Sequence, residues 1–148
     1  MAGQGSMGKL NVDISKVLAT QGGKQAVLLI DDSTIARKTL SRNLAYYGFE
    51  VFEADAGISG LQLFLEKKRE IAIVILDMVL EDVPGEAVLA KLQQLDPEVK
   101  VVVCTESAST EFKQTGQKVA GVLRKPIATD RLLKVIHLAL MGPAEQDS

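Results

Sequence analysis

Short apolar runs alternate along this chain with stretches whose apolar positions recur every three or four residues. The runs at 26–30, 50–54, 71–76, 99–104 and 121–124 predict strands. Between them, Ala36, Leu40, Leu44 and Tyr47 share one helical face, as do Ile58, Leu61 and Leu65. Val88, Leu92 and Leu95 repeat the pattern, and so do Leu132, Ile136, Ala139 and Leu140. A further, polar helix is expected over about 110–119. Gly48 predicts a helix stop, and Pro84 predicts a start nearby. Such an alternation implies an α/β fold: a doubly wound, five-stranded parallel sheet with five helices covering both faces. Right-handed crossovers limit the topology. Glu50 and Glu53 mark the second strand as an edge, whereas the first, third and fourth are rich in Val, Ile and Leu. The order 2-1-3-4-5 follows.

The ends read differently. Leu10, Ile14, Val17 and Leu18 have helical spacing, so a short helix within 10–20 is expected in an extension covering 1–24. Residues 1–6 read as a cloning scar ahead of a start at Met7. "TQGGK" reads as a linker. The main domain is expected over 25–141 and a disordered tail over 142–148.

In doubly wound sheets, ligands gather beyond the carboxyl ends of the strands, where the strand order reverses. Here strand one runs into Asp31 and Asp32, strand three into Asp77, strand four into Thr105 and strand five into Lys125. Adjacent carboxylates raise the cost of ionising one another. A cation relieves that cost, and clustered hard oxygens suit Mg²⁺. Taken singly, Asp31 or Asp32 reads equally as a helix cap, and Lys125 before a proline as a solvated side chain. The joint pattern favours a site.

Composition narrows the setting. The 148 residues suit one domain, 47% are apolar, and the net charge is −2. No basic field invites nucleic acid, and no long apolar run predicts membrane insertion. The single Cys104 reads as a buried thiol in a reducing compartment, so a cytoplasmic setting is expected. His137, the one histidine, reads as a surface or boundary residue, and Tyr46, Tyr47 and Phe49 read as packing.

The segments "IDDS", "ILDMVLEDVPG", "VVVCTES" and "LRKPI" resemble the motifs of the response-regulator receiver domain, the CheY-like family with a flavodoxin-like fold. The resemblance covers about residues 25–141. It implies a two-component receiver that takes a phosphoryl group from a histidine kinase or phosphotransfer protein onto Asp77, with Mg²⁺ as cofactor. By position, Asp32 matches a direct metal ligand, Asp31 a ligand acting through water, and Val79 the residue whose backbone carbonyl completes the shell. Thr105 matches the switch hydroxyl and Lys125 the phosphate-binding lysine, with a cis bond between Lys125 and Pro126. Such a protein is a switch rather than a turnover enzyme. It signals to an output protein as a monomer or a phosphorylation-dependent dimer.

The resemblance leaves two versions open, a free-standing regulator and a module of a hybrid kinase. About seven residues follow the last helix, so output through protein contact is expected rather than through an attached DNA-binding domain. Three departures stand out. Glu81 replaces a usual proline four residues after the acceptor. Glu106 follows the switch threonine, where a small residue is usual. Val122 replaces a usual aromatic. The first reads as a loop variant; Glu106 and Val122 leave a pseudo-receiver, a pure interaction domain, as the alternative. A phosphohydrolase of the haloacid dehalogenase type wants a second Asp two residues after the first, and here that residue is Val79.

Overall fold

The computed structural model describes residues 13–106 and 118–142. In chain order the elements are α1 (Ile14–Ala19), β1 (Ala26–Ile30), α2 (Thr34–Tyr46), β2 (Glu50–Ala54), α3 (Gly57–Lys67), β3 (Ile71–Asp77), α4 (Gly85–Leu95), β4 (Val101–Thr105), β5 (Gly121–Arg124) and α5 (Thr129–Met141). The strands form one parallel sheet in the order β2-β1-β3-β4-β5. Of the helix expected over 110–119, residues 110–117 lie outside the described residues, as do the first twelve residues and the tail expected over 142–148 from 143 onward; Lys118 and Val119 are not helical.

Strand alternation divides the interior into two cores. Val27, Leu29, Ile73, Ile75, Val102, Cys104 and Leu123 face α1, α2 and α5. Leu28, Ile30, Val74, Leu76, Val101 and Val103 face α3 and α4. Both faces of β1 and β3 are covered, which is why these strands read as unbroken apolar runs. β2 keeps Glu50 exposed, as an edge strand can.

α2 starts at Ser33, whose Oγ accepts the Ala36 N–H at 3.3 Å. It ends at Tyr46, just ahead of Gly48, whose φ of +104° suits glycine. Pro84 stands immediately before α4. α1 buries Ile14, Val17 and Leu18 in the first core. The stretch read as a linker is tied down: Gln21 Nε2 donates to the Leu140 carbonyl at 3.2 Å, and Thr20 Oγ1 to Met141 Sδ at 3.4 Å.

Two expectations are corrected. On α3 the stripe of Ile58, Leu61 and Leu65 is not the buried face: Ile58 and Leu65 are 50% and 57% exposed. Gly57, Gly60 and Phe64 are buried instead. A Cβ on Gly60 would lie 2.5 Å from Ile30 Cδ1, so the close approach of α3 to β1 needs glycine there. Among the aromatics at the end of α2, Phe49 is buried, but Tyr46 is 79% exposed and only edges against Tyr47 at 5.1 Å. His137 is half-buried.

Candidate functional site

The carboxyl ends of β1, β3 and β5 converge. Asp31, Asp32 and Asp77 each offer a carboxylate oxygen, and these oxygens lie within 4.8 Å of one another. Lys125 Nζ stands 3.2 Å from Asp77 Oδ2. Asp31 and Asp77 are buried, whereas Asp32 is half-buried and the Lys125 side chain is partly exposed.

Local structure holds each group. Because Ser33 caps α2, neither aspartate is used as the cap. Asp31 Oδ1 instead accepts the Ser33 N–H at 2.9 Å, closing the turn. Asp77 Oδ1 accepts the Val79 N–H at 3.1 Å in the same manner. Asp32 Oδ2 accepts the Glu81 N–H at 3.1 Å, from the loop after β3. The peptide bond between Lys125 and Pro126 is cis, as the resemblance implies. The Lys125 N–H donates to the Thr105 carbonyl at 2.9 Å, so the end of β4 is bonded to the start of the lysine loop.

Electrostatics follow from this crowding. Burial pushes the Asp31 carboxyl above its ordinary range. The Ser33 N–H pulls it down and the Asp77 charge raises it further. For Lys125, burial acts downward, but the charge and hydrogen bond of Asp77, helped by Asp31, hold its pKa above the usual value. Burial pushes the Cys104 thiol up to about 12, so it is an inert core thiol.

A residue that sequence reasoning passed over is Arg37. It is 9% exposed, its Nη1 donates to the Asp31 carbonyl at 2.9 Å, and its Nε to Glu53 Oε1 at 3.1 Å. Lys38 also pairs with Glu53 at 3.2 Å. Burial acts to raise the Glu53 pKa, but hydrogen bonds from Ser41, Lys38 and Arg37 outweigh it and hold the carboxyl below its usual range. Arg37 lies at i−3 from Leu40, on the buried face of α2, and a charged residue there was the available signal.

Of the other candidates, Val79 is 70% exposed beside the acidic group, Thr105 ends β4 half-buried, and Glu106 is exposed. Glu106, Lys125, Pro126 and Ile127 line one side of an open cleft of about 580 Å³, with Asp31 and Leu40 on the other. The donor set fits a small hard cation: three carboxylates and no soft ligand, with Asp32 half-buried rather than sealed from solvent.

Residues 27–137 match the model of the response regulator receiver domain. The chain belongs to that family. Receiver relatives include the transcriptional regulatory protein GlrR of Escherichia coli, 30% identical over 116 residues, which are 77% of this chain and 26% of that protein. The sensor kinase CckA of Brucella abortus is 28% identical over 77% of this chain and 12% of its own length. This receiver therefore spans only a small part of these two relatives. Among solved structures, the Vibrio cholerae chemotaxis protein CheY4 superposes with a TM-score of 0.73 at 26% identity, covering 79% of this chain and 99% of that one. No helix among the described residues is long and apolar enough to cross a membrane.

Proposed function

We propose that this receiver is a Mg²⁺-dependent phosphorylation switch with Asp77 as the acceptor. The carrying observation is the Lys125 ammonium 3.2 Å from Asp77 Oδ2, on a carboxylate that also faces the Asp31 and Asp32 pair. A carboxylate oxygen of Asp77 attacks the phosphorus of a phosphohistidine. The new O–P bond forms as the P–N bond breaks, and the donor's imidazole leaves with the P–N electron pair as a neutral histidine. Bound at Asp31, Asp32, Asp77 and the Val79 carbonyl, Mg²⁺ would supply positive charge to the transferring oxygens. Lys125 would neutralise a phosphoryl oxygen, and Thr105 would donate a hydrogen bond to another. Output passes to a protein partner through the conformational change that follows. The donor is a histidine kinase or a phosphotransfer protein, and the cleft beside Lys125 leaves an approach for it.

The test is incubation with acetyl phosphate and Mg²⁺, followed by intact mass. A single phosphoryl adduct is expected, absent in Asp77→Asn. Equal adduct yield in that variant refutes the acceptor assignment. Beryllofluoride with Mg²⁺ separates this reading from a pure interaction domain, which would show no amide shift changes around Asp77.

A further inference from the structure

The loop between β3 and α4 is anchored at three places. At its base, the Gly85 N–H donates to the Met78 carbonyl at 3.2 Å. A Cβ on Gly85 would meet the Met78 backbone at 2.5 Å, so the two ends of the loop are in close contact. In its middle, Asp82 reaches the N-terminus of α3: Oδ1 accepts the Gly57 N–H at 2.9 Å and Oδ2 the Ile58 N–H at 2.9 Å. α3 lacks a local side-chain cap, because Ala56 precedes it. Asp82 therefore caps a helix 25 residues away in sequence. The third anchor is the Glu81 N–H on Asp32 Oδ2.

This third bond differs from those of the other two aspartates. Asp31 and Asp77 each take an N–H from two residues on, within their own turns. Asp32 takes its N–H from a loop 49 residues away. The position of that N–H is set by Asp82 and Gly85, not by Asp32. A carboxylate torsion is broad and roughly two-fold when free. A charge-assisted N–H bond to Oδ2 narrows it, and so fixes where both Asp32 oxygens stand relative to the acidic group. Proline, the usual family residue at position 81, has no N–H to give. The Glu81 departure thus supplies a donor that the usual residue lacks.

We propose that the Glu81 main-chain N–H is a positioning group that holds the Asp32 carboxylate in its cation-binding orientation. The proposal rests on the Mg²⁺ reading of the site. Ordering a free side chain on binding costs affinity, so removing this donor should weaken Mg²⁺ binding by about three- to tenfold.

The test is calorimetric Mg²⁺ titration of the full chain and of two variants. Glu81→Ala keeps the N–H and should bind within about twofold of the parent; Glu81→Pro should bind about three- to tenfold more weakly. Equal or tighter binding by Glu81→Pro than by Glu81→Ala overturns the proposal. Amide exchange gives a second readout that does not depend on the proline variant keeping its loop. Asp32→Ala should speed exchange at the Glu81 amide and leave Gly57 and Ile58 unchanged. Unchanged exchange at Glu81 also overturns the proposal. A parent that binds no Mg²⁺ sinks the metal reading itself, whatever the exchange experiment shows of the hydrogen bond.

Discussion

Replacing Asp31 by asparagine should stabilise the protein when no divalent cation is present. The carboxylate oxygens of Asp31, Asp32 and Asp77 lie within 4.8 Å of one another, and Asp31 and Asp77 are only 3% and 4% exposed. At that separation two unit charges repel by about 3.5 kcal/mol at an effective dielectric constant of about 20. Asp31 faces two such neighbours, and the attraction of Lys125 acts against the repulsion. The net gain on neutralising Asp31 is about 1–3 kcal/mol after relaxation and solvent screening. The substitution is nearly isosteric. The amide oxygen can keep the Ser33 N–H bond, now 2.9 Å, and the amide nitrogen can donate to Asp77. The assay is thermal unfolding by circular dichroism at neutral pH in EDTA, where each kcal/mol is worth about 2–4 °C. On the proposed Mg²⁺ reading, saturating Mg²⁺ should narrow or invert the gap, because a parent that binds the ion would gain about 2.7 kcal/mol at a hundred times its Kd and the variant would lack one of the proposed ligands. The pH dependence has a definite sign. Burial first, and the Asp77 charge as well, raise the Asp31 pKa above 3.8 in the fold. The folded state then holds that proton more tightly than the unfolded chain. The contribution of Asp31 to stability is fully present below the unfolded value and is lost as pH rises through the folded one. The advantage of Asp31→Asn should therefore vanish in acid. A variant that melts at or below the parent in EDTA at neutral pH refutes the reasoning.

Gly85→Ala places a Cβ 2.5 Å from Met78 Cα, so it should destabilise by about 1–3 kcal/mol in denaturant titration and shift the amides of residues 78–82. Phe64→Ala should cost about 3–5 kcal/mol, read by denaturant titration, because this ring is fully buried in the core that α3 shares with α4 and the sheet. Val79 is 70% exposed and can neither donate nor accept through its side chain, so on the proposed reading it would border an aspartyl phosphate at Asp77 without orienting water. Val79→Asn should speed phosphoryl loss by roughly tenfold or more, timed by intact mass in Mg²⁺ after removal of the donor, and an unchanged or slower decay counts against that role. Val122 is half-buried and β-branched, so beryllofluoride should move it little; large shifts centred on Val122 would contradict a switch that works without a rotating aromatic.

The alternation of apolar runs with helical periodicity was enough to specify the strands and their order. A parallel sheet buried on both faces admits few other patterns, and Glu50 could stay exposed only on an edge. The same logic marked Asp31, Asp32, Asp77 and Lys125, because strand ends are set by where the apolar runs stop. What periodicity missed lies in glycines and in long-range contacts. The buried face of α3 is carried in part by Gly57 and Gly60, which add nothing to a hydrophobic count, yet a Cβ on Gly57 would run into Val83 and Val88 and one on Gly60 into Ile30. Arg37 reads as a surface charge until the Asp31 carbonyl and Glu53 are placed beside it. Glu81 reads as an ordinary loop residue, because the bond it makes is through its backbone to a carboxylate 49 positions earlier. Only the folded sheet, which brings the turn after β1 against the loop after β3, gives that N–H an acceptor.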